Sequence, residues 1–174
     1  MLLSTQRLVL TPVDWRDLPD LTALKCDPRA FAVMLGGVRT PAQVQSELAE
    51  ELAFWSRHGV GIWTIRERAG QGGFVGITGI MERPDHRGLS LRFALSPAKH
   101  GNGLAREAAG AALRDAQHRA GIPRIIAVTR SDNTPARIVL GGIGMRPCDR
   151  FIRSGHPMLV YEAVAQPQEP SARK

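Results

Sequence analysis

The sequence predicts an α/β or α+β domain built on a mixed sheet, and two observations carry that expectation. Three strand-like runs, "VGIWTIRER", "FVGITGIMER" and "LSLRFAL", follow one another, the first two joined by the glycine-rich turn "AGQGG", which reads as an antiparallel meander. Residues 89 to 143 then alternate strand, helix, strand, helix, a βαβα unit appended to that meander.

The elements follow in order. "RLVLTPV" (7–13) is rich in leucine and β-branched residues and ends at a turn, so it reads as a first strand. A short helix across "DLPDLTALKC" comes next, with Pro19 in its first turn. In "TPAQVQSELAEELAFWSRHG" Thr40 is expected to cap, Pro41 to open the helix, Gln43 to complete a capping box and Gly59 to end it. Val44, Leu48, Leu52 and Trp55 would form its apolar face. After the meander, "LAREAAGAALRDAQHRAG" reads as a helix closing at Gly121, and "RIIAVT" as a short buried strand. "NTPARIVLGGIG" is a short helix with Thr134 as cap and Pro135 first, and "PMLVYEAV" is the last strand. The polar tail 166–174, with its prolines, is expected to be disordered.

A chain of 174 residues, 43% hydrophobic and 22% charged, is expected to fold as one domain over residues 1–165. The net charge of +7 favours anionic ligands in general. The basic residues are scattered apart from Arg83, Arg87 and Arg92, with no basic run and no interleaved aromatics, which argues against nucleic acid as the partner. Those three arginines hint at an acidic or carboxylate-bearing partner. Cys26 and Cys148 lie far apart without ligand spacing, so no zinc or other metal site and no disulfide framework is expected. Arg7 interrupts the N-terminal apolar stretch too early for a secretory segment, and no run is long enough to span a bilayer; a cytoplasmic location is expected.

The stretch "HGNGLA" puts Gly101 and Gly103 immediately before a helix. There, backbone N–H groups lack intrahelical partners and the helix dipole is positive, which suits a phosphate. The same pair also suits an ordinary strand-to-helix turn, and the pattern alone leaves both readings open. A dinucleotide fingerprint is excluded because its third glycine is absent and "RIIAVTR" ends in arginine rather than an acid. A P-loop is excluded because the helix opens Leu104-Ala105-Arg106, without the lysine.

At the fixed positions of the motif Arg/Gln-x-x-Gly-x-Gly/Ala stand His100, Gly103 and Ala105, followed by the alanine-rich "REAAGAAL". Together with the order of "TQRLVLTPVDWRDLPDL", "DPRAFAVMLGGVRTPAQV", "GIWTIRER", "FVGITGI" and "RIIAVTRSDNTPARIVLGGIGMRP", and with Tyr161 in the last strand, this resembles the GNAT superfamily of N-acetyltransferases, on the branch similar to the ribosomal-protein N-terminal acetyltransferases. The resemblance implies a mostly antiparallel sheet with helices on both faces, acetyl-CoA as cosubstrate and an amine acceptor, either a protein N-terminus or a small molecule. A homodimer is compatible with it.

For coenzyme binding the resemblance implies His100, Gly101, Asn102, Gly103, Leu104 and Ala105 at the pyrophosphate, and the strand edge Phe93 to Leu95, with Asn133 and Arg137, along the pantetheine arm. The strand-edge pairing is the chemistry of β-augmentation. Asn133 equally fits an Asx turn before a helix, and Arg137 a solvent-facing helix position. A backbone N–H on the strand ending at Leu95 is the expected oxyanion donor. The proton-handling positions depart from the pattern: where relatives often have "ELGY" the chain has Ser90-Leu91-Arg92-Phe93, and Asn-x-x-Ser becomes Asn133-Thr134-Pro135-Ala136. The catalytic candidates that remain are Asn133, Glu82 and His86, with Asp85 and His156 as further loop candidates. The missing groups also keep a second expectation in place, a module that binds acyl-CoA without turning it over.

Overall fold

The computed structural model describes residues 1–166; the tail expected to be disordered lies, from residue 167 onward, outside the described residues. The elements are β1 (Leu3–Ser4), β2 (Leu8–Pro12), α1 (Leu18–Lys25), α2 (Pro28–Phe31), α3 (Pro41–His58), β3 (Ile62–Glu67), β4 (Phe74–Glu82), β5 (Leu89–Leu95), α4 (Leu104–His118), β6 (Arg124–Arg130), α5 (Thr134–Gly142), β7 (Arg146–Arg153) and β8 (His156–Val164). The strands form one sheet in the order β1-β2-β3-β4-β5-β6-β8-β7. Every neighbouring pair is antiparallel except β5 and β6.

Helices cover both faces of this sheet. On one face the small side chains of Ala108, Ala109, Ala112 and Ala116 let α4 lie close against Leu91, Leu95, Ile125 and Ala127, with Leu140 of α5 completing the cluster. On the other, Leu21 and Leu24 of α1, Phe31 of α2 and Val44 and Leu48 of α3 pack on Ile62, Ile77 and Ala94. A methylene-sized addition at one of the α4 alanines would overpack this contact at about 1–3 kcal/mol.

Helix α3 begins and ends as its sequence dictates. Thr40 Oγ1 accepts from the Gln43 N–H at 3.2 Å, Gln43 Oε1 accepts from the Thr40 N–H at 2.8 Å, and Gly59 ends the helix at φ 65°. Its buried face differs from the expected one. Glu51 and Phe54 are buried with Val44 and Leu48, whereas Leu52 and Trp55 are half-buried. The Trp55 indole N–H instead donates to Ile62 O at 2.7 Å and its ring meets Trp63 edge-on, which makes this pair part of the core.

Two other expectations are corrected, and one strand was not anticipated. Helix α4 stops at His118, and Gly121, at φ 68°, serves the turn into β6. The cap of α5 is Asn133 rather than Thr134: its side chain accepts from the Ala136 N–H, one residue earlier than read. Strand β7 has no counterpart in the reading; it is an edge strand, exposed over most of its length, and lacks the alternation that marks a half-buried strand. Cys26 and Cys148 are both free thiols.

Candidate active site

The site is organised by a gap in the sheet. β5 and β6 run parallel and pair only at Ser90 with Ile126, after which they part. The Ser96 N–H donates to Val75 O at 2.9 Å and Thr78 Oγ1 donates to Arg92 O at 2.9 Å, both across β4. Alternation along the strand therefore turns the N–H and C=O of Phe93 and the N–H of Leu95 away from β4, into the gap, while the Leu95 carbonyl is met by His100. This is an internal strand edge with backbone groups on offer.

At the open end of the gap stands the N-terminus of α4. Gly101 (φ 81°) and Gly103 (φ 73°) take left-handed conformations that favour glycine, and a Cβ at Gly101 would meet nothing within 4 Å. Among the described residues no acceptor serves the backbone N–H groups of Gly101, Asn102, Gly103, Leu104, Ala105 and Arg106; the first such bond is Glu107 N–H to Gly103 O at 3.2 Å. Leu104 itself is a core residue, so it presents only its amide. The cradle has the donors and the clearance that a pyrophosphate requires.

The loop is held from two sides. His100 Nε2 lies 2.9 Å from Leu95 O, pinning the loop to the end of β5. From β2 and its approach, the Arg7 Nε and backbone N–H both donate to Glu107, at 2.7 and 2.8 Å, Thr5 Oγ1 donates to the same carboxylate, and Arg7 Nη1 donates to Asn102 O at 2.8 Å. Burial would raise the Glu107 carboxyl, but these bonds from Thr5 and Arg7 outweigh it and hold it below its ordinary value. Arg7, which carries no local signal in the sequence, thus sets a guanidinium beside the glycines.

Asn133 and Arg137 begin α5, directly after β6. Asn133 Oδ1 is used as the helix cap at 3.2 Å from the Ala136 N–H, which leaves its amide NH2 as the group available to a ligand. Arg137 Nη1 donates to Ser131 O at 3.0 Å and its Nε reaches Tyr161 OH at 3.5 Å. The remaining catalytic candidates stand apart from these. Glu82 is exposed at the end of β4, where its carbonyl accepts from Arg92 at 3.2 Å, and His86 is exposed in the β4–β5 turn at φ 58°. Asp85 is bound by Arg83, and His156 is exposed at the start of β8.

The other end of β5 carries a charged chamber. Lys25, 2% exposed, donates to Glu51 at 2.7 Å and to Glu47 at 3.1 Å, and Arg39 pairs with Glu47. Burial pushes the Glu51 carboxyl up, with Lys25 opposing, and its Oε2 is buried with no partner among the described residues. A cavity of about 700 Å³ opens here between residues 35–47, the β4–β5 turn and Arg153 of the β7–β8 hairpin.

A family model described as an acetyltransferase (GNAT) domain matches residues 7–146. The chain belongs to the GNAT family. The GNAT fold recurs in solved structures: an acetyltransferase from Agrobacterium tumefaciens is 26% identical with a TM-score of 0.82, covering 95% of each chain. An acetyltransferase from Salmonella typhimurium that modifies the N-terminal serine of a 50S ribosomal subunit protein is 16% identical, TM-score 0.76, covering 93% of this chain and 97% of that one. The spermidine N-acetyltransferase of Vibrio cholerae, solved with CoA and spermine, is 14% identical, TM-score 0.76, covering 92% and 96%. Within the GNAT frame, Ser90 is buried at the pairing point, its hydroxyl 3.4 Å from Leu91 O, and Ala136 contributes only its amide to the α5 cap.

Proposed function

We propose that the protein is an acetyl-CoA-dependent N-acetyltransferase that passes the acetyl group to a primary amine by direct attack within a ternary complex. The observation that carries this reading is the coincidence, at one gap, of the unpartnered amides 101–106 and the outward-turned edge of Phe93 and Leu95. The amides and the Arg7 guanidinium suit the pyrophosphate, and the strand edge suits the two amides of the pantetheine arm. Five residues of strand separate Leu95 from Ser90, about 16 Å, a span that brings the thioester to the closed end of the gap.

Chemistry there requires the amine nitrogen to bond to the acetyl carbonyl carbon while the carbon–sulfur bond breaks, the amine proton leaving and the thiolate taking one up. A backbone N–H on the gap side of β5 is placed to donate to the carbonyl oxygen as charge develops on it. With Ser90 and Ala136 at the usual proton-handling positions, much of the acceleration falls to alignment of the reactants. Asn133, through its amide NH2, and Glu82 and His86, exposed at the end of β4 and in the β4–β5 turn, keep their proposed roles in proton handling. The related acetyltransferases that act on protein N-termini and on spermidine support an amine acceptor of one of these kinds.

The test is thiol release from acetyl-CoA across a panel of amines that includes N-terminal peptides and polyamines. Amine-dependent release of one CoA per amide formed supports the reading. Tight acetyl-CoA binding with no release across the panel would favour instead the module that binds without turnover, the reading that Ser90 and Ala136 favour.

A further inference from the structure

The chamber at the amino end of β5 holds an excess of cations whose arrangement bears on the acceptor. Lys25 is satisfied by Glu51 and Glu47. Arg39 is consumed by Glu47 and by the carbonyls of Leu35 and Gly37, so it shapes the loop rather than offering a donor. Arg83, 5% exposed, is bound by Asp85 through Nε at 2.9 Å and Nη2 at 2.6 Å. Arg87 reaches Asp85 and Asp149 only at 3.6 and 3.7 Å and lies over the Phe151 ring.

Two arginines are left over. Arg92 is half-buried, has no carboxylate within salt-bridge distance among the described residues, and is held only by Glu82 O at 3.2 Å. Arg153 lines the cavity with Asp85, Arg39 and Glu47, and its Nη1 is buried without a partner among the described residues. Burial first and then the nearby Arg83 charge lower both guanidinium pKa values, against the opposing pull of Glu51 and Glu47 on Arg92 and of Asp85 on Arg153, as expected of cations that lack a direct ion pair. Buried guanidinium donors left in this state call for an oxyanion, which the planar fork of arginine matches in pairs of parallel bonds.

We propose that the acceptor is a primary amine that also carries an oxyanion, a carboxylate or a phosphate, and that Arg153 binds this group in the cavity between residues 35–47, the β4–β5 turn and the β7–β8 hairpin, with Arg92, outside the cavity lining, adding positive charge from β5. The inference rests on the acetyltransferase reading, since it assigns the donor to the gap and the acceptor to the opposite end of β5. It also separates this chain from a polyamine acetyltransferase, because unpaired arginines repel a polycation.

The experiment compares acceptors matched in length and amine: β-alanine, β-alaninamide, O-phosphoethanolamine and spermidine, together with the peptides Ser-Glu-Glu-Ala-amide and Ser-Gln-Gln-Ala-amide. Thiol release is followed for the native protein and for the Arg92→Gln, Arg153→Gln and Arg57→Gln variants; Arg57, exposed on α3, is the control. Binding of the same compounds to the CoA-loaded protein is read by saturation-transfer NMR. The expected result is preference for the oxyanion-bearing member of each pair, with Arg153→Gln raising its KM by about tenfold or more, the loss of a charge-assisted bond, and Arg92→Gln raising it by a smaller factor through lost positive charge. KM for acetyl-CoA and the Arg57→Gln profile should stay unchanged. The relative rates of β-alanine, O-phosphoethanolamine and the acidic peptide identify the source of the oxyanion. Equal use of the neutral partners, preference for spermidine, or insensitivity to both variants overturns the proposal. Absence of turnover with every amine removes the acetyltransferase reading, while the NMR comparison still decides the oxyanion site: selective binding of the anionic members upholds it and equal or absent binding rejects it.

Discussion

Ser90 of β5 and Ile126 of β6 form the one Cα pairing between two strands that separate immediately afterwards. The sheet is thus continuous in its topology and open along half of β5. Phe93 and Leu95 sit on that opening, and a coenzyme arm that pairs with them should shield their amides. Acetyl-CoA is expected to slow hydrogen exchange at Phe93 by at least tenfold, roughly the protection of an added backbone bond, while Arg92, turned toward β4, changes little. Equal protection of both would show general stabilisation and not strand pairing.

Gly103→Val places a β-branched side chain at φ 73° in the loop, with its Cβ 3.6 Å from Arg7 Nη2. Backbone strain of about 1–2 kcal/mol lowers the melting temperature by a few degrees in a domain of this size. The coenzyme dissociation constant should rise by at least about a hundredfold as the cradle closes, measured by calorimetry on the folded variant. Retained affinity would remove the loop from the donor site.

Glu107 gives a pH signature. Its folded pKa is depressed, so its contribution is fully present above the unfolded value of about 4.3 and is lost as pH falls through the folded value. Glu107→Gln should therefore cost about 1–2 kcal/mol at neutral pH, from the weakened bonds to Thr5 and Arg7. In denaturant titrations across pH, the gap between variant and native protein should close below about pH 4. A gap independent of pH would mean that the carboxylate charge does not hold the loop.

Lys25 and Glu51 are a buried pair, 2% and 8% exposed at the side chain. Lys25→Met removes the cation that offsets the burial of the Glu51 carboxyl and should cost about 3–5 kcal/mol, while the double variant Lys25→Met/Glu51→Leu recovers most of it. A double-mutant cycle by urea unfolding checks this; additive losses would contradict the pairing.

The sequence made the meander, the capping of α3 by Thr40 and Gln43 and the glycine corner legible, because each is written in local chemistry: strand alternation, side-chain caps and residues that accept positive φ. The choice of Asn133 over Thr134 as cap was not, since both residues can cap and Pro135 directly after Thr134 fits a first helical position there. Strand β7 was hidden because edge pairing with β8 leaves its side chains exposed and unpatterned. Nothing in the local sequence marks Glu51 as buried; the fold brings Lys25 against it from α1. The parting of β5 from β6, the Arg7 clamp and the leftover Arg92 and Arg153 arise from contacts distant in sequence, which no local pattern encodes.

The donor site is tested most directly by titrating the protein with acetyl-CoA while following its melting temperature. A ligand bound only by the native state at a hundred times its dissociation constant adds about 2.7 kcal/mol, or about 5–10 °C here. A saturable rise of that size with acetyl-CoA, lost in Gly103→Val, is the predicted result; no shift at millimolar acetyl-CoA would contradict the account at its centre.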